Sequence, residues 1–376
     1  MQKIMSRVLI YILPIFLLLA YSKAGNNNIT IPTSNDYAQG FAVAEFDNYK
    51  VVEVRNPWDT LKILQRYILV PKNLNISDEM PQGTIIRTPV ERAVVYASLH
   101  CGMIKELGKS DAIVGICDVH YNADNELKSK VKSGKIADLG SSFLPDIEKI
   151  ISLSPEIIIL SPYKDRDEDK LSQLGIPIVE MADYMESVPL ARTEWLKFIS
   201  MLFDCEEKAD SIFMTTETEY LRLAEMGRSV INKPTLFCEL KTGGVWYQPG
   251  GESYMAKLYS DAGIDYLWRD NNNKGSIPLS FEEVFARASN ADLWFIKYAE
   301  ESDKTLKSLL KEYALYENFK PYISKSVWGV NALKVPFYEE MPLYPHYVLR
   351  DLMIVAHPEI FEKGDTTRYF KKLDDE

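Results

Sequence analysis

The sequence predicts an α/β protein of two lobes, each built on a parallel sheet flanked by helices, with one long α-helix bridging them. Three observations carry this. From Arg92 onward, short apolar runs alternate with helical patterns, as parallel strands joined by helical crossovers require. The same order of elements recurs after residue 231, so one plan is used twice. Between the two copies, Ala209, Ile212, Phe213, Thr216, Tyr220 and Leu223 recur at spacings of three and four, which makes one apolar helical face.

In the first copy RAVVYA reads as a buried strand, Ser98-Leu99-His100 as a turn, CGMIKELG as a helix closed by Gly108, and AIVGIC as the next strand. LPDIEKIISLSP follows as a helix with Pro145 in a favourable first-turn position, then the strand EIIIL and the pair KLSQLG and IPIVEM. In the second copy PTLFCEL is the strand, and the stretch Gly243 to Gly251 takes the place of the Ser-Leu-His turn. ESYMAKLYSDAG is the helix that follows, ended by Gly263, and a strand begins at Ile264. FEEVFARAS and DLWFIKYA then match IEKIISLS and EIIIL. A helix of about 22 residues from Glu206 spans about 33 Å, enough to bridge two lobes and to limit their closure to a small movement.

The boundaries follow. Residues 1–24 read as a signal peptide, 25–84 as a leader with short β-strands, 85–205 as the N-terminal lobe, 206–230 as the bridging helix and 231–376 as the C-terminal lobe. The signal reading rests on Lys3 and Arg7 ahead of the apolar run Val8 to Ala20, which is short for a membrane span, and on small residues before a cut after Ala24. Retention as an uncleaved anchor stays open. In the leader, GFAVAEF and YKVVEV alternate around Asp47-Asn48 and LQRYILV follows, the pattern of a hairpin or three strands packed on the first lobe.

A net charge of −11 excludes nucleic acid or an anionic membrane surface as the main partner, since either needs a basic face. Cys101, Cys117, Cys205 and Cys238 are scattered with no metal-ligand spacing, so structural zinc is not expected; an oxidising compartment permits a disulfide, and buried thiols are the simpler state. Four dispersed histidines do not announce a metal site.

Ligands of open α/β sheets bind beyond the carboxyl ends of the strands. By that rule Ser98 and His100 lie on one wall of a crevice and Trp246 and Tyr247 on the other, the tryptophan as a rigid apolar wall. Gly250 and Gly251 would let the backbone approach a bulky ligand before a helix starting at about Glu252. Tyr338 and His346, in the aromatic stretch VPFYEEMPLYPHY, are further candidates for the crevice. Arg87 could serve an anionic ligand, and Arg350 is expected to pair with a carboxylate. Glu148 sits beside the apolar stripe Ile147, Ile150 and Ile151, and Glu282 holds the same register beside Phe281, Val284 and Phe285. One exposed carboxylate per lobe suits a pseudo-symmetric partner with two basic sockets, although first-turn glutamates also favour the helix dipole.

Taken together, AVVYASLHCGMIKELGKSDAIVGI, DIEKIISLSPEIII, the bridging helix, GGVWYQPGGESYMAKLYSDAG, PLSFEEVFARASNADLWF and LRDLMIVAHPEIF resemble the substrate-binding proteins of ATP-driven importers for cobalamin and ferric siderophores. The resemblance covers roughly Ile85 to Phe361 and belongs to the class with a helical backbone between lobes. It implies a non-enzymatic, monomeric periplasmic receptor with no resident cofactor, whose ligand is an iron or cobalt chelate and whose partner is an ABC transporter permease dimer. It also implies that Glu148 docks into an arginine pocket of that permease, and that Glu282 does so on the other lobe, with Glu283 serving if the segment slips by one. The aromatic leader departs from the pattern, as does Tyr21, which stands where a lipid-bearing cysteine would sit. Siderophore, corrin and haem remain open as ligands. A periplasmic hydrolase is the rival reading, although Ser98 and His100 lack a GxSxG elbow and a third partner. A receptor for free metal ions is another, and the scarcity of histidine speaks against it.

Overall fold

The structure is a computed structural model that describes residue 31 and residues 35–76, 80–164 and 169–376. The signal-peptide reading of residues 1–24 lies outside the described residues. The leader forms a four-stranded sheet of β1 (Phe41–Phe46), β2 (Tyr49–Arg55), β3 (Ile63–Pro71) and β4 (Thr84–Thr88) in that order. Its first three strands are antiparallel and β4 runs parallel to β3, so residues 85–88 pair with the leader rather than with the lobe sheet.

The N-terminal lobe continues through β5 (Ala93–Val95), α1 (Ser98–Glu106), β6 (Ile113–Ile116), α2 (Asn125–Lys132) and β7 (Ala137–Asp138). A small hairpin of β8 (Gly140–Ser141) and β9 (Leu144–Pro145) leads into α3 (Ile147–Leu153), β10 (Ile157–Leu160), α4 (Asp169–Ser172) and β11 (Ile178–Glu180). The sheet order is β11-β10-β5-β6-β7, all parallel, and its central strands are apolar on both faces because helices cover both.

Two helices follow, α5 (Pro189–Phe203) and α6 (Glu206–Ser229). Twelve of the fifteen residues of α5 are buried, because the helix is wedged between the leader sheet and the lobe. Phe41 of β1 meets Trp195 at 4.9 Å between ring centroids, in a cluster that also holds Tyr67 and Phe198. The leader is pinned by charge as well. Glu194, fully buried on α5, accepts the backbone N–H groups of Asp36, Tyr37 and Ala38 at 3.0, 2.9 and 2.7 Å.

Helix α6 is the expected brace. Ala209 and Phe213 face the N-terminal lobe, while Tyr220, Leu223 and Ala224 belong to the core of the other lobe. Gly227 permits its last turn to press on the C-terminal lobe: a Cβ there would stand 2.0 Å from the carbonyl oxygen of Asp261. No helix among the described residues is long and apolar enough to cross a membrane.

The C-terminal lobe runs β12 (Thr235–Cys238), β13 (Lys241–Thr242), β14 (Val245–Pro249), α7 (Tyr254–Asp261), β15 (Asp265–Tyr266), β16 (Ser276–Leu279), α8 (Phe281–Ala288) and β17 (Leu293–Tyr298). It closes with α9 (Leu306–Glu312), α10 (Lys320–Ile323), β18 (Val327–Asn331), α11 (Phe337–Glu340), α12 (Pro345–Ala356) and β19 (Lys371–Lys372). Its main sheet has the order β15-β12-β17-β18-β19, parallel except for β19, and β13-β14-β16 form a separate antiparallel sheet. The four cysteines are free thiols.

Candidate functional site

In both lobes the first strand is where the strand order reverses. The chain leaves β5 toward β6 and returns to β10 on its other side; it leaves β12 toward β15 and returns to β17. Crossover helices diverge at such a point and leave a crevice beyond the strand ends. A cavity opens at each. The one on the N-terminal lobe, about 190 Å³, is walled by Tyr96 after β5, Asp118 after β6, Ser161 after β10, and the rings of Phe143 and Tyr163. The one on the C-terminal lobe, about 780 Å³, is walled by Glu239 after β12, Lys297 and Tyr298 at the end of β17, Tyr247 and Tyr338.

One contact between the lobes flanks both cavities. Ala97 lines the first and Tyr338 the second, and their chain neighbours meet. The carboxylate of Glu339 accepts the Ala123 backbone N–H at 2.9 Å and also the Ser98 hydroxyl. Burial pushes the Glu339 carboxyl above the ordinary range, against the pull of those donors. The two walls therefore lie on either side of this seam.

The walls differ in chemistry. On the N-terminal side Phe143 is 81% exposed at the tip of the β8–β9 hairpin, and its ring lies 6.2 Å from that of Tyr163. Asp118 holds this hairpin: in a left-handed conformation, φ 52°, it donates its N–H to the Gly140 carbonyl at 2.8 Å and accepts from the Ser142 N–H at 3.3 Å. On the C-terminal side Lys297 and Glu239 form an ion pair at the base of the cavity. Burial would lower the lysine, but Glu239 outweighs it and Lys297 is held well above the ordinary value. Burial raises the neighbouring Tyr338 phenol, and Lys297 partly opposes the shift.

The profile of the periplasmic binding protein family matches residues 94–330. The chain belongs to this family. Similar proteins include an uncharacterized lipoprotein of Methanocaldococcus jannaschii, 28% identical over 308 residues, which is 77% of this chain and 70% of the relative. A petrobactin-binding protein of Bacillus subtilis is 30% identical over 130 residues, 34% of this chain and 38% of its own length. Among solved structures, an Fe3+-hydroxamate transport protein of Saccharomonospora viridis superposes with a TM-score of 0.56 at 16% identity, covering 71% of this chain and 93% of that one. A periplasmic heme-binding protein of Pseudomonas aeruginosa superposes with 0.58 at 15%, covering 76% and 98%. At such identities these structures speak for the two-lobed fold of a periplasmic binding protein.

Against that family fold, the sequence-derived site divides. Tyr247 and Tyr338 line the same cavity and stay about half exposed, 49% and 47%. Ser98 sits at the seam. Trp246 is corrected: it is fully buried, packs against Phe237, Trp294, Tyr316 and Phe319, and donates its indole N–H to the Cys238 carbonyl at 3.0 Å. The reason is that Val245–Pro249 is a strand, so consecutive side chains point to opposite faces and only Tyr247 can look outward. Gly250 and Gly251 are corrected with it, for their backbones approach the carbonyls of Asn273 and Arg269 in the chain's own loop.

His100 is corrected as well: its ring is buried and its Nε2 lies 2.9 Å from Asp183 Oδ1, while the Ser98 hydroxyl turns to Glu339, so serine and histidine do not face one another. His346 is buried between Tyr344 and Tyr347, with its pKa lowered to about 4 by burial. Arg87 donates to the Lys72 and Leu74 carbonyls, and Arg350 pairs with Asp365 at 2.7 Å as expected. Among the described residues, no group of three or more His, Cys, Asp or Glu is placed to hold a metal ion.

Both glutamates of the repeated helix lie in first turns. Glu148 and Glu282 are exposed and form no ion pair among the described residues. Glu283 is occupied: it closes a capping box, accepting the Ser280 N–H and hydroxyl at 2.7 and 2.8 Å. That leaves Glu282 as the free carboxylate of its helix.

Proposed function

We propose that the protein captures a metal chelate, a ferric siderophore or a corrinoid, outside the cytoplasm and delivers it to the permease dimer of an ATP-driven importer. The observation that carries this is the pair of cavities at the two switch points, joined at one inter-lobe seam and walled by exposed aromatic rings. A rigid ligand with large apolar faces buries those rings from both sides. Family membership supports the receptor role, and the hydroxamate and petrobactin named for related proteins support a chelate as cargo.

In this reading the ligand enters between the lobes, the α6 brace permits a small closure, and Glu148 and Glu282 engage basic sockets on the permease. The permease then draws the lobes apart and releases the ligand. The protein acts as a monomer in the periplasm or its equivalent, and the lipoprotein designation of the M. jannaschii relative favours membrane attachment. The test is reversal of both glutamates, Glu148→Lys with Glu282→Lys. Transport is expected to vanish while chelate affinity stays unchanged; surviving transport rejects the docking role.

A further inference from the structure

The charges around the two cavities say which chelates can enter. Among the described residues, neither cavity is lined by an arginine. Three lysines reach the larger one, and each is engaged. Lys297 is paired with Glu239. Lys304, whose side chain is only 6% exposed, lies 2.7 Å from Glu300 and also bonds to Glu312. Lys241 rests on the ring of Tyr313 at 4.9 Å and donates to the Gly243 carbonyl. On the other wall, among the described residues, the acidic side chain is Asp118 and no lysine lines it. Among the described residues, four carboxylates against three ammonium groups leave the lining with one net negative charge. The chain as a whole carries −11.

A ligand bearing several negative charges would need free cations at the point of contact, because desolvating an anion without a partner is costly. Breaking the Lys297–Glu239 pair to supply one would leave the partly buried Glu239 carboxylate without its partner. From this balance, and resting on the receptor reading above, we propose that the site takes chelates with no net negative charge and rejects polyanionic ones. Ferric iron with three hydroxamates is neutral at its core, and a pendant ammonium makes it a cation. Ferric iron with three catecholates carries three negative charges. The hydroxamate class and neutral corrinoids therefore fit the lining, with their apolar flanks against Phe143 and Tyr163 and their polar edge toward Tyr247, Tyr338 and the carboxylates.

The test is equilibrium dialysis of the mature protein against ferrioxamine B, cyanocobalamin and a ferric tris-catecholate, repeated with Glu300→Gln. The expected result is saturable binding of ferrioxamine or cyanocobalamin at least about tenfold tighter than the catecholate, corresponding to about 1.4 kcal/mol. In Glu300→Gln the gap should narrow, since Lys304 keeps Glu312 and one negative charge is gone. Tighter binding of the catecholate overturns this charge selection while leaving the receptor reading in place. Failure of all three to bind overturns both.

Discussion

Glu339 on the C-terminal lobe accepts a hydrogen bond at 2.9 Å from the backbone of Ala123 on the N-terminal lobe, and its chain neighbour Tyr338 lines the larger cavity. The seam between the lobes thus contains a buried carboxyl whose pKa is raised, chiefly by desolvation. A group raised in the folded state holds its proton there at pH values where the unfolded chain has released it. Its contribution to stability is therefore fully present below the ordinary glutamate value and lost as pH rises through the folded one. Glu339→Gln keeps an acceptor for Ala123 and removes the titration. Urea unfolding at pH 4.5 and pH 8 should show wild type losing stability relative to Glu339→Gln as the pH rises. A constant difference across that range would refute the raised pKa. Glu339→Ala should cost about 1–3 kcal/mol at pH 4.5, because the Ala123 N–H loses its partner, and less at pH 8, where wild type carries the buried charge.

Trp246 separates a core role from a binding role. Its removal from an aromatic cluster in Trp246→Ala should destabilise the protein by about 3–5 kcal/mol. Trp246→Phe should melt somewhat lower but bind its chelate with unchanged Kd. A large loss of affinity in a well-folded Trp246→Phe would return the ring to the ligand wall.

The leader is held to α5 by the Glu194 carboxylate. Glu194→Ala leaves three backbone N–H groups without their acceptor, and the expected cost is about 3 kcal/mol or more. Limited proteolysis with chymotrypsin should then cut at Tyr37 much faster than in wild type. Equal cutting rates would show that the Glu194 carboxylate is not needed to anchor the leader, which Glu186 and the packing of Phe41 on Trp195 also hold.

Gly227 is a steric claim. With a Cβ placed 2.0 Å from the Asp261 carbonyl, Gly227→Ala must shift α6 against α7, and overpacking of this kind costs about 1–3 kcal/mol despite the better helix propensity of alanine. A thermal melt that rises in the variant would contradict the close approach.

The repeated lobe plan, the brace over Glu206–Ser229 and its buried face were legible because long periodic segments declare themselves. The site was legible in part. Tyr338 and Tyr247, which line the larger cavity, stand out in aromatic stretches, but Trp246 misled because a five-residue strand between glycines looks like a loop until its alternation is followed. His100 and His346 looked functional as rare polar residues; burial in their own lobes explains them instead. Phe143 and Tyr163 were missed, although GSSFLP and SPY directly follow the strands that the carboxyl-end rule points to. Glu239 and Lys297 were missed for a different reason: each is unremarkable alone, and only the pairing of β12 with β17 brings them together.

The central claim is that the two cavities form one ligand site. The most direct test is equilibrium dialysis of wild type and of the double variant Phe143→Ser with Tyr338→Ala, using whichever of ferrioxamine B or cyanocobalamin the wild type binds. Both side chains are about half exposed or more, so the fold should survive, as circular dichroism would show. Loss of the ring contacts should raise Kd about 10- to 100-fold. An unchanged Kd in the folded double variant would contradict the claim and place the ligand elsewhere on the molecule.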